Sequence, residues 1–304
     1  MATTAPTSAG SGERIHKRLA EAGVGSRRTV EKWIREGRVK INGQLATLGQ
    51  KVVAQDRVTV DGKPVRIHDK PQPIRVLLYK KRVGELVTRD DPEGRRTVFR
   101  KLPSLETGRW IAVGRLDINT SGLLLMTNNG ELARRLTHPS FEVPRSYAVR
   151  VLGAVDDALL QRLRTGVELE DGLARCQRVV RGHEPGHSAG HGNTTDGAAT
   201  ANHWLEITVH EGRNRLVRRL FESQGLQVSR LIRVAYGPIE LGGGIRSGSA
   251  RELDEAEIAG LLAAVDMPAS TDTSPHSKSR IPEARSTAAK RPATNARRER
   301  PSRR

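Results

Sequence analysis

Residues 110–127 read WIAVGRLDINTSGLLLMT, and this stretch is the strongest single indication of the fold. An apolar segment runs into Gly114, a polar loop follows with Asp117 as its one carboxylate, and a very apolar segment begins after Gly122. Two short apolar segments joined by a polar loop predict two buried strands. Proteins often place reactive groups on loops held by buried strands, so Asp117 is either a turn residue or a catalytic carboxylate.

The residues around this stretch predict further strands interleaved with helices. The predicted strands are Arg75–Tyr79, Trp110–Val113, Gly122–Thr127, Tyr147–Val151, Trp204–Val209 and Arg230–Tyr236. The predicted helices are Gly130–Leu136, Asp156–Thr165, Asn214–Ser223 and Asp254–Leu262. Because helices and strands do not alternate regularly, the pattern favours an α+β class with a mixed, mainly antiparallel sheet over a doubly wound parallel sheet.

A separate hydrophobic pattern lies nearer the N-terminus. Ile15 and Leu19 recur at helical spacing and stop at Gly23, and Ser26 can cap a second helix that ends near Gly37. Short alternating strands are predicted to follow these two helices, at residues 39–41 and 58–60. The outer faces of the two predicted helices carry eight cations: Arg14, Lys17, Arg18, Arg27, Arg28, Lys32, Arg35 and Arg38. Such a face is either an ordinary solvated surface or a phosphate-binding surface, and clustering on adjacent helices favours phosphate binding.

The charge of the whole chain indicates a polyanionic partner. The 304 residues include 52 Lys and Arg against 34 Asp and Glu, which gives a formal net charge of +18. Residues 13–72 carry 14 cations and 7 anions, and residues 268–304 carry 10 cations and 3 anions. Nucleic acid and an anionic membrane surface both fit this excess, but the basic helices lack an apolar stripe that would face a membrane.

Composition also divides the chain into segments. We expect a disordered N-terminus at 1–12, a small basic domain at 13–68, a linker at 69–73, a larger domain at 74–266 with a flexible insertion at 182–202, and a disordered basic tail at 267–304. The single cysteine, Cys176, excludes a disulfide framework. The first twelve residues lack the regions of a secretion signal, and no apolar run approaches the ~18 residues of a spanning helix, so we expect a cytoplasmic protein.

The basic segment has a recognisable pattern. Residues 14–44, RIHKRLAEAGVGSRRTVEKWIREGRVKINGQ, resemble an S4 domain, a small RNA-binding module. In that family the paired helices sit on structured RNA, and the Ser-Arg-Arg segment, here residues 26–28, contacts the RNA backbone. A helix N-terminus with adjacent arginines also suits a phosphate on physical grounds.

The larger region resembles the pseudouridine synthases, in which a Gly-Arg-Leu-Asp loop, here residues 114–117, carries the one required carboxylate. Further matching stretches are DDPEGRRTV at 90–98, NGELA at 129–133, LTHP at 136–139, EGRNRLVRRL at 211–220 and VSRLIR at 228–233. An S4 domain joined to this core is typical of a branch that modifies ribosomal RNA. That branch usually has prolines where this chain has Arg82 and Arg96, and their loss is expected to loosen two loops slightly.

The resemblance implies isomerisation of uridine to pseudouridine in ribosomal RNA, expected to be that of the large subunit. It makes Asp117 the catalytic carboxylate, acting as a nucleophile or as a base. It assigns Arg218 as the partner of Asp117 in a buried pair, Tyr147 as the ring that stacks on the flipped uracil, and Arg115 as the residue that fills the vacated position in the RNA. Since the reaction needs no redox change and no outside group, no cofactor and no metal are expected. The expected partner is large-subunit rRNA or its precursor particle, bound by a monomer.

Two alternatives stay open from the sequence. The same activity could act on small-subunit rRNA, or the chain could be a non-catalytic S4-type protein that binds rRNA during ribosome assembly. The presence of Asp117, Tyr147 and Arg218 together favours the enzyme, because a homologue that had lost its activity is expected to have lost one of them.

Overall fold

The computed structural model describes residues 12–53, 55–67, 72–185 and 202–268. No helix in these ranges is long and apolar enough to cross a membrane. The predictions of disorder or flexibility, and most of the predicted linker, fall largely outside the described residues, namely on 1–11, 68–71, 186–201 and 269–304.

The described residues form six α-helices, two short 3₁₀ helices and seventeen strands. The α-helices are α1 (Ile15–Glu21), α2 (Arg27–Arg35), α3 (Gly130–Thr137), α4 (Asp157–Thr165), α5 (Leu216–Glu222) and α6 (Glu255–Ala263). The 3₁₀ helices are Val98–Lys101 and Pro139–Phe141. The strands are β1 (Glu13–Arg14), β2 (Val39–Ile41), β3 (Gln44–Leu45), β4 (Lys51–Val52), β5 (Val58–Val60), β6 (Lys63–Val65), β7 (Val76–Lys81), β8 (Ile111–Ala112), β9 (Ser121–Thr127), β10 (Arg145–Leu152), β11 (Val167–Leu169), β12 (Gly172–Ala174), β13 (Arg178–Arg181), β14 (Asn202–Val209), β15 (Gln227–Tyr236), β16 (Ile239–Glu240) and β17 (Ala250–Glu252).

The large sheet has the strand order β13-β14-β10-β15-β9-β7-β17, with β16 paired to β15 and β8 paired to β9. Its described strands pair antiparallel except for β15 and β9, which run parallel. The predicted α+β class with a mixed, mainly antiparallel sheet is therefore confirmed. The six strands and four helices predicted around Asp117 are present, with ends that differ by up to three residues.

The apolar strand β9 lies in the middle of the sheet and is buried on both faces. Leu124 and Met126 belong to the hydrophobic cluster on one face, and Leu123 and Leu125 belong to the cluster on the other. All four side chains are 0 % exposed. A strand covered on both faces has no polar alternation, which explains why residues 121–127 read as a continuous apolar run.

The N-terminal region has its own small core beneath α1 and α2. Strands β3, β2, β5 and β6 form a four-stranded antiparallel sheet, and β1 pairs with β4. Ile15, Leu19 and Val30 are buried in a cluster with apolar residues of these strands. The hydroxyl oxygen of Ser26 accepts a hydrogen bond of 3.0 Å from the Thr29 amide, so the predicted N-cap of the second helix is confirmed.

Candidate active site

The loop that carries Asp117 joins β8 to β9. These strands pair antiparallel, with Ala112 opposite Met126. The Thr120 amide donates to the carbonyl oxygen of Asp117 at 3.0 Å, which closes a turn within the loop. The Asp117 side chain is half-buried at this turn. The carboxylate is thus carried by a short turn with both ends fixed in the sheet.

Gly122 allows this loop to join the sheet at the parallel pair of β9 and β15. Its φ of +101° lies in a region that residues with a Cβ rarely adopt. Gly122 is paired directly with Arg233, and a Cβ at position 122 would clash with the Arg233 backbone oxygen. Glycine is therefore required here by both the backbone conformation and the close approach of β15.

Lys81 holds the same loop from the end of β7. Its side chain is 0 % exposed, and its ammonium donates to the carbonyl oxygens of Thr120 at 2.7 Å, Asp117 at 2.9 Å and Arg82 at 3.0 Å. Burial lowers the pKa of Lys81 to about 8, and the negative charges of Glu85 and Asp117 oppose that shift. Lys81 therefore holds the backbone that positions Asp117, and the number of hydrogen bonds that it can donate depends on whether its amine is protonated.

A buried carboxylate beside Lys81 fixes the turn that follows β7. Glu85 is 7 % exposed and accepts hydrogen bonds from the Tyr79 hydroxyl at 2.9 Å and from the Arg82 amide at 3.0 Å. Burial, followed by the hydrogen bond and the charge of Glu85, raises the pKa of Tyr79. This turn meets the Asp117 loop where the Gly84 amide donates to a loop carbonyl, that of Ile118, at 2.8 Å.

Asp117 lines a cavity of about 350 Å³. Arg115, which is exposed, and Tyr147, which is 9 % exposed, line the same cavity. The volume is comparable to the lower end of small-molecule pockets, about 300–1,000 Å³, and suits a single nucleoside. Three of the four side chains predicted for the catalytic site therefore surround one space.

Arg218 lies on α5 and differs from its predicted role as the direct ion-pair partner of Asp117. Its guanidinium donates to the carbonyl oxygens of Asn119 at 2.9 Å and Val228 at 3.1 Å. Within the described residues no ion pair of 4.0 Å or less joins it to Asp117, and the two terminal nitrogens of the guanidinium donate to these backbone carbonyls instead. Burial and then Arg215 lower the pKa of Arg218, while the charge of Asp117 raises it. Arg218 thus fixes the loop backbone and interacts with the carboxylate through space.

Two buried arginines and a tyrosine form a positive wall of the cavity. Arg145, Arg233 and Tyr236 are 6 %, 2 % and 1 % exposed, and all three line it. The guanidinium carbons of Arg145 and Arg233 lie 5.2 and 4.9 Å from the centre of the Tyr236 ring. Arg145 donates to the His210 carbonyl at 2.6 Å and Arg233 to the Leu123 carbonyl at 2.8 Å, and neither has a carboxylate within 4.0 Å among the described residues. This wall suits an oxygen-rich ligand.

A further wall is the loop before α5. Arg213 lines the cavity and donates to the Asp171 side chain at 3.0 Å and to the Leu173 carbonyl at 2.8 Å. Arg219, within α5, makes two more hydrogen bonds to Asp171, of 2.9 and 2.8 Å. These bonds lower the pKa of Asp171, with Arg219 as the largest cause. The loop before α5 is therefore tied to the β11–β12 hairpin.

The eight predicted cations of the N-terminal domain fall into two groups. Four have carboxylates within 4.0 Å: Lys17, Arg18, Lys32 and Arg38. The other four have no carboxylate at that distance within the described part of the chain: Arg14, Arg27, Arg28 and Arg35. All four of the second group are exposed. These four cations are the ones whose charge is not already neutralised locally.

Lys81, Arg145 and Arg233 are not predicted as site residues from the motifs, although strand alternation carries a signal for two of them. Arg145 precedes Tyr147 by two residues on β10, so both side chains lie on one face, and both line the cavity. Arg233 follows Leu231 in the same way on β15. Lys81 has no such signal, because only the fold shows that the end of β7 meets the Asp117 loop.

Comparison with known protein families gives the class of this chain. Residues 75–223 match the family described as RNA pseudouridylate synthase, and residues 13–58 match the S4 domain. The chain belongs to the RNA pseudouridylate synthase family, and the resemblance seen in its sequence is confirmed.

Its relatives include proteins named ribosomal large subunit pseudouridine synthase B. The chain is 53 % identical over 248 residues to that of Pseudomonas aeruginosa, a match that covers 81 % of this chain and 61 % of the relative. It is 51 % identical over 265 residues to that of Haemophilus influenzae, covering 86 % of this chain and 70 % of the relative. For that of Escherichia coli K12, identity is 49 % over 264 residues, covering 86 % of each chain.

A solved structure supports the same fold. The crystal structure of a pseudouridylate synthase matches 82 % of this chain and 99 % of its own, with a TM-score of 0.55 and 23 % sequence identity. At this identity the likeness supports the fold alone.

Proposed function

We propose that this chain converts uridine to pseudouridine in ribosomal RNA, and specifically in the RNA of the large subunit. The observation that carries the proposal is the position of Asp117, half-buried in a cavity of about 350 Å³ with Arg115 and Tyr147. The names of the relatives support the large subunit as the source of the substrate.

The chemistry is an isomerisation that balances without a second reactant. The bond between ribose C1′ and uracil N1 breaks, a bond between C1′ and C5 forms, and the proton on C5 is lost while N1 gains one. The carboxylate of Asp117 acts either by attacking the nucleoside or by removing a ribose proton. One positioned carboxylate is sufficient for either route, so the proposal includes no cofactor and no metal.

The uridine must leave the RNA stack to reach Asp117, at a cost of a few kcal/mol. In our proposal the Tyr147 ring stacks on the flipped uracil, and exposed Arg115 fills the position that the base leaves. Arg218 and Lys81 act as positioning residues, since their hydrogen bonds hold the backbone of the Asp117 loop.

The N-terminal domain holds the RNA in this proposal, mainly through Arg14, Arg27, Arg28 and Arg35, which have no carboxylate within 4.0 Å among the described residues. We retain 13–68 and 74–266 as the limits of the two domains. The chain is proposed to act as a monomer in the cytoplasm.

The deciding experiment is pseudouridine mapping of rRNA from cells that lack this protein and from cells that carry an Asp117→Asn variant. We expect one pseudouridine in large-subunit rRNA to disappear in both and to return with the unaltered protein. Asp157→Asn is the control, because the Asp157 side chain is 94 % exposed on α4 and does not line the cavity.

Loss of a small-subunit pseudouridine would assign the same chemistry to the other rRNA. An unchanged map in both RNAs, with rRNA binding retained, would instead identify a non-catalytic rRNA-binding protein. In that case the assignment of Asp117 would be wrong.

A further inference from the structure

A second cavity, of about 160 Å³, lies apart from the Asp117 cavity and shares none of its lining residues. We call it the junction cavity. Its lining includes Arg89, Phe99, Ser104, Gly108, Arg109 and Trp110. These residues follow β7 or precede β8, in a segment that the proposed catalysis does not use.

The junction cavity contains two arginines without acidic partners. Neither Arg89 nor Arg109 has a carboxylate within 4.0 Å among the described residues. Burial lowers the pKa of both groups, and the positive charge of Arg109 lowers that of Arg89 further. By contrast, Arg75, whose guanidinium lies over the Trp110 ring, is paired with an acid: its Nε lies 2.5 Å from Glu252 Oε1.

The two guanidinium groups have unused hydrogen-bonding capacity. Arg109 Nε is buried and has no hydrogen-bond partner among the residues that the structure describes. The guanidinium carbon of Arg89 lies 4.4 Å from the centre of the Phe99 ring, and one of its nitrogens donates to the Trp110 carbonyl. Two like charges beside apolar rings repel each other, and an anion between them would remove that repulsion.

The junction cavity lies where the N-terminal domain contacts the larger one. A Cβ at Gly23, in the turn after α1, would lie only 2.6 Å from the Gly108 carbonyl oxygen. A Cβ at Gly108 would lie 3.1 Å from the carbonyl oxygen of Glu21. Arg27 and Arg28, both exposed, follow Gly23 by four and five residues at the start of α2. Cationic groups therefore flank the contact from both domains.

We propose that the junction cavity binds a phosphodiester group of the substrate RNA, between the part of the RNA held by α2 and the uridine in the Asp117 cavity. Arginine forks match phosphate oxygens bidentately. The Trp110 indole N–H already donates to the Pro103 carbonyl at 2.7 Å, so it is not free to contact a base edge. The contact therefore recognises the RNA backbone and is insensitive to base sequence.

The identity of the ligand rests on the proposed function, so the test measures RNA binding without turnover. Binding of a large-subunit rRNA fragment is measured over a range of salt concentrations, with Arg109→Gln and Arg89→Gln each introduced into the full chain carrying Asp117→Asn. Each of the two substitutions is expected to weaken RNA binding several-fold at low salt. Each is also expected to reduce the slope of log affinity against log salt concentration by about 0.7–0.9, the value for one phosphate contact.

Arg162→Gln is the matched control. Arg162 is exposed on α4, its guanidinium donates to the neutral Gln224 side chain at 2.8 Å, and it lines neither cavity. The Arg162→Gln substitution removes one positive charge and is expected to leave the salt slope of RNA binding unchanged. Arg109→Lys keeps the charge without the fork and is expected to weaken binding while retaining the slope.

The proposal is overturned if Arg109→Gln and Arg89→Gln, folded as judged by their thermal melting, give the same slope as Arg162→Gln. It is also overturned if they weaken binding without reducing the slope, since that result would indicate altered packing or contact with a neutral group. Because Asp117→Asn removes turnover from every arm, these outcomes do not depend on whether the unaltered chain makes pseudouridine.

Discussion

The Lys81 ammonium donates a hydrogen bond of 2.9 Å to the carbonyl oxygen of Asp117, and this contact joins the end of β7 to the loop of the candidate catalytic carboxylate. The partner atom belongs to the backbone of Asp117. Lys81 therefore holds the backbone from which the carboxylate projects, and within the described ranges no hydrogen bond occupies the carboxylate oxygens.

Replacing Lys81 with methionine is expected to reduce the single-turnover rate by about 10²-fold, because small displacements of a reacting group have effects of that size. Binding of the RNA is expected to change little, since Lys81 is 0 % exposed. The measurement is pseudouridine formation with saturating enzyme. Lys80→Met is the matched control, because the neighbouring residue on β7 does not line the cavity and its side chain makes no hydrogen bond to the loop within the described part of the chain. Equal rates for the two variants would show that Lys81 does not position the Asp117 loop for catalysis.

The rate is also expected to fall as pH rises through the Lys81 pKa of about 8. A neutral amine has two hydrogens to donate in place of three, so one of the three carbonyls that Lys81 contacts loses its partner and the loop is held less firmly. The effect on stability has the opposite sign. The pKa of Lys81 is about 8 in the folded chain and 10.5 as its ordinary value, which applies to the unfolded chain. Between these two pH values the unfolded chain binds more protons than the folded chain, so the contribution of Lys81 to the free energy of unfolding rises with pH.

Single-turnover rate constants measured across this pH range for the unaltered chain and the two variants test whether Lys81 is the group that titrates. The unaltered chain and Lys80→Met are expected to lose activity above the transition, while Lys81→Met is expected to lack it. A fall of the same size in Lys81→Met would show that another group is responsible.

Gly122→Ala is expected to lower the free energy of unfolding by at least about 2 kcal/mol more than Gly172→Ala. Strain at an unfavourable φ costs about 1–3 kcal/mol at either position, but a steric clash adds to that cost only at Gly122. The two glycines form a matched pair, with φ of +101° and +103°. A Cβ meets the Arg233 backbone at position 122 and nothing within 4 Å at position 172. Urea denaturation measures the difference, and equal losses would show that β15 moves away at no cost.

Salt dependence of RNA binding should distinguish the two groups of cations on the N-terminal domain. Arg28→Gln is expected to reduce the salt slope by about 0.7–0.9. Arg38→Gln is expected to reduce it less, because Arg38 makes hydrogen bonds of 2.7 and 2.6 Å to Asp61 and thereby lowers the pKa of that carboxyl. Filter binding over a salt series gives both slopes. Equal slopes would mean that RNA displaces Asp61 and uses both arginines.

The sequence predicts local features of this chain well, because they depend on neighbouring residues. The cap at Ser26 and the apolar strand after Gly122 follow from local pattern and are confirmed. The strands β11, β12, β13, β16 and β17 escaped prediction, because each has only two to four residues and too few positions to show alternation. They are stabilised by pairing with neighbours that the sequence does not bring together.

The candidate site shows the same division. Asp117, Arg115 and Tyr147 were predicted from motifs, and the structure brings them to one cavity. The hydrogen bonds of Lys81 and Arg218 could not be predicted, because they join residues separated by 36 and 99 positions. Among the described residues Arg218 donates to backbone carbonyls and forms no ion pair with Asp117 within 4.0 Å, and the sequence alone does not show this because the packing of α5 decides which oxygens the guanidinium reaches.

The parallel pairing of β9 with β15 has a consequence for synthesis of the chain. Gly122 can pair with Arg233 only after Arg233 has been synthesised. The sheet that holds the carboxylate loop therefore cannot be completed on the ribosome until more than a hundred residues after Gly122 have emerged from the exit tunnel. The strand pairs and the hydrophobic cluster described for the N-terminal domain lie between residues 13 and 67, so that domain can fold as soon as it emerges. A nascent chain thus gains its capacity to hold RNA well before its capacity to alter it.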